Sequence, residues 1–180
     1  MAVEATFKKC IDVAESSKVS LDPKLDQTQN VFMWQNNLLK FYLEHDIAKA
    51  KDYSSELIHD LGNILPEHDV CDLKFSLATA FALEGQDIDS AQKYFKECLD
   101  VPNPLMRGFA LNNLGMTYFY KFVALSSEIG DPQGAGLDAV KPVIENFEAS
   151  ILHLKSSVRA FEGFDKRFEE IESEAAEGES

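Results

Sequence analysis

LMRGFALNNLGMTYFYKF, residues Leu105 to Phe122, is the stretch whose reading decides the fold. Taken as a helix, it sets Leu111, Leu114, Gly115, Tyr118 and Phe122 on one face at a 3.6-residue period. Phe109, Met116, Phe119, Tyr120 and Val123 make a second apolar row on another face. A surface helix carries a single apolar stripe, so a helix with two needs cover on two sides. This segment is therefore expected between neighbouring helices in a stack.

The segments on either side read the same way. Glycine and proline are sparse, fall between periodic stretches, and strand signals are nearly absent. The periodicity predicts eight helices. The first five run from about Val3 to Ser16, Thr28 to Glu44, Ile47 to Leu61, Asp69 to Leu83, and from just after Asp87 or Asp89, either of which could cap it, to Asp100. The sixth begins after the break at Val101-Pro102-Asn103-Pro104 and continues to about Ile129. A seventh, Val140 to Phe161, has the inward row Val140, Val143, Ile144, Phe147, Ile151, Leu154, Val158 and Phe161. Pro142 is accommodated there by a place in the first turn. A short eighth helix runs from Phe164 to about Glu174. Two stretches read as irregular: SSKVSLDPKLDQT, with its Asp22-Pro23 turn signal, and the glycine-rich GDPQGAG. Gly62 and Gly85 are expected helix stops.

The chain has 180 residues, enough for a sizeable core. Thirty-one acidic against 17 basic residues give a formal charge of -14, which opposes nucleic acid and anionic lipid and favours basic partners. Cys10, Cys71 and Cys98 are too few and too scattered for a disulfide framework or a zinc site. At apolar-periodic positions a reduced thiol packs as a small core residue. A reducing compartment is the expectation: the cytoplasm, or the mitochondrial matrix if a presequence has been removed. No apolar run approaches the roughly 18 residues that would span a bilayer, so membrane insertion is not expected. MAVEATFKKCIDVAE lacks the apolar core of a signal peptide.

Self-comparison shows a repeat. Phe7-Lys8-Lys9-Cys10-Ile11-Asp12 matches Phe95-Lys96-Glu97-Cys98-Leu99-Asp100 in kind at all positions but one. Trp34, Leu38, Phe41, Ala50 and Leu57 follow one another at spacings of 4, 3, 9 and 7. Leu77-Ala78, Phe81, Gly85, Ala91, Phe95 and Cys98 keep nearly that order. Leu111, Leu114-Gly115 and Tyr118 open a third set that Phe147 and Ser150 close. In these features the chain resembles the tetratricopeptide repeat family. The resemblance implies an all-α fold, an α-α superhelix or solenoid of about three helix pairs with capping helices. Small residues such as Ala78 and Gly115 would admit bulky side chains of a partner helix, and Ala50 and Ala91 would let helices cross tightly. Trp34, Leu38, Phe41, Ala78, Phe81, Phe95, Leu114, Tyr118, Phe147 and Ile151 are expected in the core. The third pair departs from the pattern, with roughly 16 residues more than a ~34-residue repeat allows. The implied organisation is a half repeat or capping helix over 1–16, a repeat domain over 28–174 and an acidic disordered tail over 175–180.

The family's first helices line a concave surface that holds a peptide or a partner helix. Carried over by position, that groove comprises Phe32, Gln35, Leu39 and Tyr42, then Phe75, Thr79 and Leu83, then Phe109, Asn112, Met116, Phe119 and Tyr120. Aromatics and a methionine with a few amides suit an apolar ligand held by hydrogen bonds. The alternative is that the chain's own long helices fill the hollow. Asn113 fits the carboxylate clamp of one subclass, but Leu39 stands where an asparagine is expected and the groove has no lysine or arginine, which argues against a clamp. His45, His59, His68 and His153 show no metal-ligand spacing. GDPQGAG follows no strand and is no phosphate loop. The expected function is non-catalytic protein binding without cofactor, with a peptide or helix, including basic ones, as partner. The alternative is a structural or assembly subunit that uses its outer helix faces. Oligomeric state is left open at this level.

Overall fold

Capping explains where the helices begin. Asp26 accepts the backbone N–H of Gln29 at 2.9 Å while the Gln29 side chain accepts that of Asp26 at 3.3 Å, a reciprocal cap that starts α2, Gln27–His45. Asp46 is the whole connection to α3, Ile47–Leu61. Its N–H closes α2 on Tyr42 O at 2.7 Å, and its carboxylate accepts Lys49 N–H at 3.2 Å to open α3. Asn103 accepts the N–H groups of Leu105 and Met106, each at 3.1 Å, and Pro104 takes the first position of α6, Pro104–Ile129. The other helices are α1, Ala2–Ser16; α4, Glu67–Glu84; α5, Ile88–Glu97; and α7, Leu137–Gly178. The computed structural model describes residues 2–16, 26–85, 87–129 and 136–178. Among these there are seven helices and no strand, so the protein is all-α. Most of SSKVSLDPKLDQT, residues 17–25, and most of GDPQGAG lie outside the described residues.

Gly85 terminates α4 in the left-handed conformation, at φ 72°. Gly62 closes α3 differently, in right-handed backbone at φ -61°, and the chain turns on through Leu65 N–H to Leu61 O.

The described chain forms two compact units, Met1–Asp87 and Ile88–Ser180. In the first, α1 lies antiparallel on α2, which also packs against α3 and α4. Gln27 donates to Glu15 O at 3.1 Å at one end of the α1–α2 pair, and Tyr42 donates to Glu4 Oε1 at 2.8 Å at the other. Between these ends Phe7 meets the rings of Trp34 and Phe41. Ile11, Phe32, Leu38, Leu39, Tyr42, Ala50, Leu57, Leu65, Leu73 and Ala80 form the core. Lys51 bridges α3 to Glu84 of α4 at 2.5 Å.

In the second unit α6 packs on α5 and, far more extensively, on α7. Glycines let the α6–α7 backbones approach. A Cβ on Gly115 would stand 2.8 Å from Leu154 Cγ, and one on Gly108 would stand 2.7 Å from the Phe161 ring. Ser157, buried, donates to Gly108 O at 2.8 Å. Phe122 meets Phe147, and Tyr118 stacks on His153. These pairings run in opposite directions along the two helices, so α6 and α7 are antiparallel.

Three expectations change. The predicted seventh and eighth helices are one, since α7 runs unbroken from Leu137 through Gly163 to Gly178. A single glycine costs a helix only about 1 kcal/mol, less than its packed neighbours supply. Pro142 is past the first turn, because α7 begins five residues earlier. Phe147 and Ile151, expected in the core, are 43% and 36% exposed, because α6 covers only part of the apolar width of α7. Leu38, Ala78, Phe95 and Leu114 are buried, while Trp34, Phe41, Phe81 and Tyr118 are half-buried. Cys71 and Cys98 are buried and Cys10 is half-buried.

Candidate partner-binding surface

The residues assigned to a groove divide by environment. Phe32, Leu39 and Tyr42 are 5%, 0% and 5% exposed and belong to the core of the first unit. Their row on α2 is packed on by α1, α3 and α4, and of the three Tyr42 also borders a cleft beside α1. The Tyr42 phenol is pushed up in pKa by burial and then by its bond to Glu4. Gln35 is half-buried, and its Oε1 has no hydrogen-bond partner among the described residues. It borders a cleft of about 260 Å³ with Glu15, Gln27, Thr28, Val31 and Leu61. Phe75 and Thr79 are half-buried, and the Thr79 hydroxyl donates back to Phe75 O at 2.8 Å. Leu83 is exposed.

The remaining five share one helix and one surface. Phe109, Phe119 and Tyr120 are exposed apolar side chains, Asn112 is exposed and Met116 is half-buried. The contacts of α6 show which way this row faces. Gly115 meets Leu154, and four residues on from each stand Phe119 and Val158. On an antiparallel pair the same sense of rotation about each helix leads to the same side, so both project to one side of the hairpin. Continuing that rotation reaches Met116 and Val123 on α6 and Ile144 and Ile151 on α7. Opposite rotation leads to the α5 side, where Lys96 of α5 lies over the Tyr118 ring and Lys121 pairs with Asp89. One side of the hairpin is thus closed by α5. The other carries Phe109, Phe119, Val123, Ile144, Ile151 and Val158, all at least 36% exposed.

Sequence reasoning treated Ile144, Ile151 and Val158 as inward and so missed them as part of a surface. It also missed two clefts beside α1. One, of about 540 Å³, is lined by Lys8, Ile11 and Asp12, by Leu38 and Tyr42, and by Lys49, Asp52, Tyr53 and Glu56. The other, of about 530 Å³, is lined by Ala5, Thr6, Lys9, Cys10, Val13 and Trp34, whose Nε1 has no hydrogen-bond partner among the described residues. Nothing in the spacing of these residues marks either cleft, because both depend on how α1 seats on α2.

Among the described residues no group of three histidine, cysteine or acidic side chains is placed to hold a metal ion, and no helix is long and apolar enough to cross a membrane. His153 is held below its ordinary pKa by burial, with Lys96 adding to the effect. No family model matches the chain, and no match is found to a curated protein or a solved structure.

Proposed function

We propose that this chain is a non-catalytic protein-binding domain that receives an apolar helix or peptide on the open side of the α6–α7 hairpin. The observation that carries this is the exposure of Phe109, Phe119 and Val123 beside Ile144, Ile151 and Val158 on a single side of two packed helices. Large contiguous apolar surfaces are rare on proteins that act alone. The tetratricopeptide-like order of the helix pairs supports the same reading, because that architecture presents helix faces to partners. We read the pairs as members of that class and their arrangement as superhelical. The chain's acidity favours encounter with basic partners, and Asn112 supplies a polar anchor at the edge of the apolar row. An assembly subunit joined through its outer helix faces is the second reading, favoured by the exposure of Leu152 on the far flank of α7.

The test is affinity capture with mass spectrometry, run side by side on the full chain and on Phe119→Ala and Asn112→Ala. Both residues are exposed, so both variants should keep the wild-type thermal transition while losing captured proteins. An unchanged set of captured proteins, or a collapse of both variants' folds, removes the reading.

A further inference from the structure

We propose that a second copy of this chain docks on the α7 edge of the open face, with the two α7 helices antiparallel. The proposal rests on the partner-binding reading of that face and names its partner. Leu137, Ile144, Ile151 and Val158 recur every seven residues, as do Val140, Phe147, Leu154 and Phe161 three residues after each. Two such interleaved rows are the pattern of helices that pair along their length. The second row supplies Phe147, Leu154 and Phe161 to α6. The first row has no such cover: its members are 89%, 50%, 36% and 56% exposed.

The flank of that row selects the occupant. Lys141, Glu148, Lys155 and Glu162 also recur every seven residues, all exposed, and their charges alternate. Turning α7 upon itself about a two-fold axis between Ile151 and Leu152 sets Lys141 against Glu162 of the second copy and Glu148 against Lys155. Each pair occurs twice by symmetry. In that register the apolar row falls within one residue, about 1.5 Å, of facing itself, with Ile144 beside Val158 and Ile151 beside its own equivalent. The matched segment spans about 32 Å of helix. Two molecules that each carry a charge of -14 repel over most approaches, but this row sums to zero and is self-complementary. The contact of Lys141 with Glu145 on its own helix, at 3.7 Å with both side chains mostly exposed, is weak enough to be exchanged.

Light scattering of the full chain, at low salt and up to about 100 μM, reads the outcome as a dissociation constant. The wild type should show the mass of a dimer. Glu148→Lys and Lys155→Glu should each weaken association about ten-fold or more, since each turns two attractive pairs into repulsive ones. The double variant should restore it, and a mixture of the two single variants should associate where neither does alone. Circular dichroism should be unchanged throughout, because both positions are exposed. A monomeric wild type overturns the proposal, as does a dimer indifferent to both reversals or one that the double exchange fails to rescue. A monomeric wild type whose captured proteins still depend on Phe119 overturns self-pairing alone. Rescue by the double exchange with capture indifferent to Phe119 upholds self-pairing and removes a foreign partner.

Discussion

Replacing Gly115 by alanine sets two effects of opposite sign against each other. In the middle of a helix the change should stabilise by about 0.8–1 kcal/mol. The added Cβ, however, would stand 2.8 Å from Leu154 Cγ, 3.0 Å from Cδ2 and 3.2 Å from the Leu154 backbone nitrogen. Carbon atoms pack comfortably at roughly 3.5–4.0 Å, so the intrusion approaches an ångström. Moving Leu154 off its rotamer costs about 0.5–1.5 kcal/mol, and the backbone nitrogen recedes only if α7 shifts. Overpacking of this kind costs about 1–3 kcal/mol, so Gly115→Ala should be destabilising by about 1 kcal/mol net. Leu154→Ala, at a half-buried site, should cost about 2 kcal/mol. In that background Gly115→Ala should turn stabilising by a few tenths to about 1 kcal/mol, because of the three nearest contacts only that with the backbone nitrogen remains. The cycle therefore carries a coupling of about 1.5 kcal/mol, well beyond additivity. Urea unfolding followed by circular dichroism measures all four proteins. If Gly115→Ala stabilises the wild type by the full propensity gain and adds to Leu154→Ala without coupling, α6 and α7 do not meet there and the account of the hairpin is wrong.

Two further outcomes follow from local geometry and charge. Gly85→Ala should cost about 1 kcal/mol through backbone strain alone, since φ is 72° and nothing lies within 4 Å of the new methyl. Gly85→Asn should cost less, and a melting-temperature series on the two variants checks the order. His153 has a folded pKa below the ordinary 6.5, so the folded state binds its proton less readily than the unfolded chain. Its contribution is fully present above about pH 6.5 and is lost as pH falls below that value towards the folded pKa. His153→Phe, which keeps a ring against Tyr118, should flatten that part of the melting temperature–pH profile, and an unchanged profile would show that another group sets the slope.

Punctuation made most helices readable. Asp46, Asn103, Pro104 and Gly85 each impose a backbone requirement that few other residues meet, and helix ends fall beside them. The small residues were readable for the same kind of reason. Ala50, Ala78 and Ala91 are fully buried, as close crossings demand, and Gly115 receives Leu154. Periodicity identifies an apolar row but not its cover. Tyr42 was assigned to the groove by its position in the resembled repeat, and the bond from its phenol to Glu4 shows that α1 lies across it. Phe147 and Ile151 failed in the opposite direction, since a row that suits a core equally suits a surface awaiting a partner. The break expected between Phe161 and Phe164 is absent, because Phe161 packs on Gly108 just before Gly163 and the helix runs on.

Gly108 and Gly115 are seven residues apart on α6, and the side chains that enter them, Phe161 and Leu154, are seven apart on α7. Two notches and two teeth at equal pitch act as a key cut to its lock. Slide α7 along α6 by one heptad and one notch stands empty while a tooth strikes a residue with a Cβ; slide it by less and both are lost. The alignment of the hairpin is therefore engraved in the helices themselves, and with it the height at which each outward side chain of α7 stands beside its counterpart on α6.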